Sequence, residues 1–122
     1  LSTRVIAVRR VAAGEAIGYN GVWRAPRDSR IAVVGIGYGD GYPRTMRAGA
    51  PVLIEGREAP IAGRVSMDMT MVDVTDLPQT RVGDAVTLFG EGLPAERVAA
   101  FADTLGYELV CRVTPRVQRE VV

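Results

Sequence analysis

The chain has 122 residues, 48% of them apolar, and a net charge of +1, enough for one domain with one core and without the charge run of a nucleic-acid binder. All fifteen basic residues are arginine, with no lysine and no histidine. A Schiff-base lysine, a histidine general base, a histidine triad and a histidine metal site are therefore excluded from this chain.

Residues 4–10 alternate around Val5, Ile6, Ala7 and Val8 and predict a strand with apolar residues on both faces, as in a largely buried position. Ala13, Gly14 and Glu15 make a turn. A short strand over 16–19 ends at Asn20-Gly21, a strong tight-turn signal, and Val22, Trp23 and Arg24 resume the extended chain. Residues 30–37 read as the central strand. A glycine-dense loop follows, Gly37-Tyr38-Gly39-Asp40-Gly41-Tyr42-Pro43-Arg44. Val52, Leu53 and Ile54, then Gly56, then 58–61 read as a hairpin, and further strands are predicted over 69–74 and 85–89. One helix is expected over 94–105. Pro94 suits its first turn, Gly106 its left-handed end, and Val98, Phe101 and Leu105 form one apolar face. Residues 107–110 read as a last strand. Short strands with frequent turns predict a mainly β domain, small and barrel-like, with this one helix.

The single cysteine, Cys111, lies in an apolar run and is expected to be buried. One cysteine makes no internal disulfide, which suits the cytoplasm, and no run of about 20 apolar residues predicts a membrane span. The opening Leu1-Ser2-Thr3-Arg4-Val5 has no signal-peptide layout and reads as part of a longer protein.

Gly37-Tyr38-Gly39-Asp40-Gly41 has the look of a dinucleotide loop, but no helical pattern follows and the Gly-Lys-Ser/Thr of a P-loop is missing. A tight surface loop with glycines at positive φ is the simpler reading, although it leaves Tyr38, Tyr42 and Arg44 without a purpose. Asp68 and Asp73 are an odd number of residues apart, so on a strand they face opposite ways, and Asp68 is expected to bond local backbone at a turn. The tyrosines Tyr19, Tyr38, Tyr42 and Tyr107 remain as possible bases. A phenol serves as one only where a cationic neighbour stabilises phenolate.

Taken together, Leu1-Ser2-Thr3-Arg4-Val5, Gly14-Glu15-Ala16-Ile17-Gly18-Tyr19, the block from Gly35 through Gly37-Tyr38-Gly39-Asp40-Gly41-Tyr42-Pro43-Arg44, Gly63-Arg64-Val65-Ser66-Met67-Asp68-Met69 and Gly106-Tyr107-Glu108-Leu109 resemble the C-terminal domain of bacterial alanine racemase. The resemblance covers essentially the whole chain, 1–122. It implies a β-domain packed on an absent N-terminal barrel that carries pyridoxal 5'-phosphate on a lysine. It also implies a head-to-tail homodimer whose sites combine one subunit's barrel with the other's C-terminal domain. Such an enzyme interconverts L- and D-alanine and supplies D-alanine for peptidoglycan. By the same resemblance Tyr19 is the base for one antipode. Tyr38, Arg44 and Arg64 line the substrate entrance, and the Met67 backbone N–H helps hold the substrate carboxylate. Tyr107 stands near the cofactor phosphate. Ser66 occupies a position where some relatives have cysteine. No metal, nucleic acid or membrane partner is implied. Two alternatives are a related pyridoxal-phosphate racemase with another amino-acid substrate and a stand-alone β-barrel binding module.

Overall fold

Aliphatic and β-branched residues recur in short runs along the chain, and most of these runs pair into antiparallel sheet. The computed structural model describes residues 1–18 and 23–119. Its strands are β1 (Ser2–Val11), β2 (Ala16–Ile17), β3 (Trp23–Arg24), β4 (Ser29–Val34), β5 (Pro51–Ile54), β6 (Arg57–Pro60), β7 (Thr70–Asp73) and β8 (Ala85–Thr87). Six of them form one sheet in the order β6-β5-β8-β1-β4-β7, and β2 pairs with β3 in a separate hairpin. The mainly β expectation holds. Among the described residues the sheet does not close into a barrel. Its two ends meet only where Ile61, just past β6, bridges Val72 of β7.

β4 is an interior strand between β1 and the edge strand β7 rather than the middle of the sheet, and as its composition predicts it is buried on both faces. Ala32 and Val34 join the main core with Val52, Val72, Val86, Leu88 and Leu109, while Ile31 joins a smaller cluster with Val11, Ile17, Ala25 and Ala62. β1 departs from its expected burial. Its register with β4 jumps between Val5 and Ala7, so Ile6 is an extra residue in a bulge and is 53% exposed. The β5–β6 hairpin is as expected, with Glu55 and Gly56 at φ of 50° and 79° making its two-residue turn. Glu55 also ties this turn to β8, where its carboxylate accepts from the Ala85 N–H at 2.8 Å.

The helix falls where predicted but is shorter. α1 (Ala95–Ala99) runs into a 3-10 turn over Ala100–Ala102, and Asp103, at φ 53°, ends it. Gly106 is not the left-handed terminus. It opens a second helix, α2 (Gly106–Cys111), where a strand was expected. Two facts account for the difference. A short apolar run does not by itself distinguish strand from helix. Gly106 is also needed for contact with α1, since a Cβ there would lie 3.0 Å from the Glu96 backbone nitrogen. α2 buries Leu109 and turns Tyr107, Val110 and Cys111 outward, so Cys111 is exposed rather than buried. Among the described residues no helix is long and apolar enough to cross a membrane.

Tyr42 is fully buried, and its hydroxyl has no hydrogen-bond partner among the described residues. Burial raises its pKa above the ordinary value of 10. The unfolded chain releases this proton near pH ~10 while the folded form holds it, so the unfolded state binds fewer protons above that pH and stability falls. Tyr42→Phe removes both the unsatisfied hydroxyl and this alkaline loss. Its stability at neutral pH is expected to be unchanged or up to about 1 kcal/mol higher, with a shallower decline above pH ~10. Thermal unfolding followed by circular dichroism across pH checks this, and a clear destabilisation would show that the hydroxyl has a partner.

Candidate functional site

The end of β4 feeds the glycine-dense loop. Residues 38–40 form a 3-10 turn, and the Asp40 carboxylate folds back to accept from the Gly37 N–H at 3.0 Å. The loop lies on a second irregular segment. The Tyr38 N–H donates to the Ser66 carbonyl at 2.9 Å, and the Gly39 N–H donates to the Met67 carbonyl at 2.8 Å. The backbones approach so closely that a Cβ on Gly37 would fall 2.1 Å from the Ser66 carbonyl oxygen. Only Gly41, at φ 103°, needs the left-handed region. Gly37 and Gly39 are therefore required by proximity rather than by positive φ, which corrects the expectation of a simple turn.

This contact builds a cleft of about 390 Å³ lined by Tyr38, Arg44, Arg64, Val65, Ser66 and Met67. The Arg44 guanidinium stands 5.8 Å from the centre of the Tyr38 ring, within reach of a cation–π contact. Neither Arg44 nor Arg64 pairs with a carboxylate among the described residues, so two full positive charges face the cleft. The Met67 carbonyl is taken by Gly39, but its N–H makes no hydrogen bond to any described residue. A neighbouring cleft of about 580 Å³ shares Arg44 and Arg64 and is walled by Trp23 of β3. The arrangement suits a small anion, with two arginines to attract it and an unused backbone donor to fix it.

Four of the six residues singled out in the sequence, Tyr38, Arg44, Arg64 and Met67, thus share one cleft. Tyr107 does not line it and stands on α2, 67% exposed. Tyr19, together with the Asn20-Gly21 turn, lies outside the described residues. Tyr42 is part of the core. Among the described residues Asp68 bonds no local backbone; its Oδ1 accepts from Arg116 Nη2 at 2.7 Å. Asp73 accepts from the Thr75 N–H, so the two carboxylates do no joint work. Local sequence pattern gave no signal for Arg116, whose partners are distant in the chain.

The sequence profile of the family described as "Alanine racemase, C-terminal domain" matches residues 1–121. A curated alanine racemase from Chromohalobacter salexigens is 56% identical over 119 residues, which is 98% of this chain and 33% of that protein. The crystal structure of biosynthetic alanine racemase from Pseudomonas aeruginosa superposes with a TM-score of 0.96 at 55% identity, over 98% of this chain and 33% of that one. Alanine racemase from Bartonella henselae, a structure with covalently bound pyridoxal phosphate, gives a TM-score of 0.93 at 34% identity, over 99% of this chain and 34% of that one. The chain spans about a third of the length of the relatives it matches.

Gly37→Ala is expected to displace the loop or cost about 2 kcal/mol or more, because its Cβ would meet backbone that has no flexible end to move. Gly49→Ala has open space around it and suffers only from its φ of 95°. Comparing the two unfolding midpoints checks the assignment, and a Gly37 variant no worse than the Gly49 one would refute it.

Proposed function

The chain belongs to the alanine racemase family as its C-terminal domain, and from that we propose that it supplies a tyrosine base and the substrate entrance of a pyridoxal-phosphate-dependent alanine racemase. The observation that carries this reading is the cleft itself. Two arginines, a tyrosine ring and the Met67 N–H, none of these charges or donors taken by another described residue, converge there on a space suited to a small carboxylate.

The donor set here fits the anionic end of an amino acid rather than the attachment of a cofactor. There is no lysine among the 122 residues, so the covalent link falls to an N-terminal barrel outside this chain. When bound, pyridoxal phosphate supplies the electron sink that makes the α-hydrogen of alanine removable as a proton. Racemisation breaks the Cα–H bond on one face and forms a new one on the other, so it needs a base on each side. Tyr19 is the base on one face and the barrel lysine the base on the other. Each returns a proton when the reaction runs in the opposite sense. A phenol ordinarily holds its proton to about pH 10, so Tyr19 needs a cationic neighbour to act as a base near neutrality.

This chain's other residues prepare that step. Arg44 and Arg64 draw in the carboxylate, and the Tyr38 ring narrows the passage and limits side-chain size. Met67 N–H binds the carboxylate. Tyr107, exposed on α2, is available to line the corridor and meet the cofactor phosphate once the rest of the protein covers it. The partner of this domain's site is the barrel of a second subunit in a head-to-tail dimer. Its product, D-alanine, is made in the cytoplasm for peptidoglycan.

Tyr19→Phe in the full-length enzyme tests the two-base reading. Exchange of the α-hydrogen with solvent is expected to fall by about 10²-fold or more from one antipode, with the other comparatively intact. Equal loss from both, or loss from neither, would remove Tyr19 from this role. Turnover of a panel of amino acids fixes the substrate range.

A further inference from the structure

The two walls of the cleft come from separate parts of the chain, and a third part touches both. The Thr114 N–H donates to the Asp40 carbonyl at 3.1 Å, and its hydroxyl donates to the Gly39 carbonyl at 2.9 Å. Two residues on, the Arg116 guanidinium divides between two carboxylates. Nη2 donates to Asp68 Oδ1 at 2.7 Å, and Nε lies 3.3 Å from Asp40 Oδ1. Asp40 belongs to the loop that carries Tyr38, and Asp68 directly follows Met67. Asp40 is buried, with its other oxygen held by the Gly37 N–H, so it is a fixed anchor. The Asp68 side chain is 57% exposed and has no other partner among the described residues. A Cβ on Gly39 would fall 2.2 Å from Arg116 Nη1, so glycine at 39 is what lets the guanidinium lie against the loop.

We infer that Arg116 is a positioning residue for the carboxylate-binding end of the cleft. Bridging Asp40 to Asp68, it sets the spacing between the Tyr38 wall and the Met67 N–H. The inference rests on the entrance reading above. Arg116 does not line the cleft and acts on it through Asp40 and Asp68. Without it, Asp40 and Asp68 are like charges with nothing between them. Asp40 is anchored, so Asp68 is the one that turns to water, and the Met67 peptide moves with it. The carboxylate is held in ground state and transition state alike, so the loss falls on KM rather than on kcat. A lysine carries one point charge and does not span both carboxylates as a planar guanidinium does.

The test uses the full-length holoenzyme. Arg116→Gln is expected to raise KM for alanine about tenfold in both directions, with kcat within about twofold and the cofactor absorbance unchanged. Arg116→Lys is expected to fall between the two. Asp68→Asn keeps the side-chain shape while removing the charge, and is expected to shift KM the same way by less. It also decides the matter if Arg116→Gln fails to fold. A lowered unfolding midpoint with KM unmoved would make Arg116 a structural brace and overturn the inference, as would a fall in kcat at constant KM. Arg44→Gln separates the two readings. If it raises KM while Arg116→Gln and Asp68→Asn do not, only the positioning role falls. If none of the three moves KM, the entrance reading falls as well.

Discussion

The contact between the glycine-dense loop and the 66–67 backbone leaves no room for a single Cβ at Gly37, and the site depends on that contact. Two N–H···O=C bonds, from Tyr38 to Ser66 and from Gly39 to Met67, hold the loop against the 66–67 segment. The same bonds decide which donor is left over. With its carbonyl occupied, Met67 presents only its N–H, and among the described residues no carboxylate pairs with Arg44 or Arg64 of the same cleft. Arg44, Arg64 and Met67 are exposed, so water solvates these groups in the open cleft, and their two charges and one donor match an anionic guest that takes the place of that water.

The core serves this arrangement from beneath. β4, buried on both faces, delivers the loop at its end, and the Thr70 hydroxyl at the start of β7 donates to the Ile36 carbonyl at 2.7 Å to fix the exit. Tyr42, fully buried, pins the far side of the loop to the core, and its hydroxyl has no partner among the described residues. Rigid strands thus carry irregular chain to the place where chemistry is proposed, as binding sites generally require.

Much of this was legible from residues alone. β4, the β5–β6 hairpin and α1 followed from apolar runs, the glycine at 56 and helical spacing, each of which acts over a few residues. The motif blocks likewise pointed to Tyr38, Arg44, Arg64 and Met67, which do share a cleft. What sequence pattern missed is non-local. The bulge at Ile6 is a matter of register with β4, and residues 106–111 are helical because Leu109 packs into the core and Gly106 meets Glu96. The reason for the glycines at 37 and 39 was misread as turn conformation, since proximity to another segment leaves no local trace. The Arg116 bridge was invisible for the same cause: an arginine and two aspartates far apart in the chain have no pattern until the chain is folded.

The position of residues 114–116 has a consequence for the order of assembly. Every strand of the sheet is complete by Thr87, and both walls of the cleft are synthesised well before the segment that braces them. In chain order the whole sheet therefore precedes residues 114–116, and the segment that touches both cleft walls joins strands already specified upstream of it. Loss of residues 114–116 would spare every strand and helix described here while removing the Thr114 and Arg116 contacts to Gly39, Asp40 and Asp68, so a site can lose its support with its secondary structure intact.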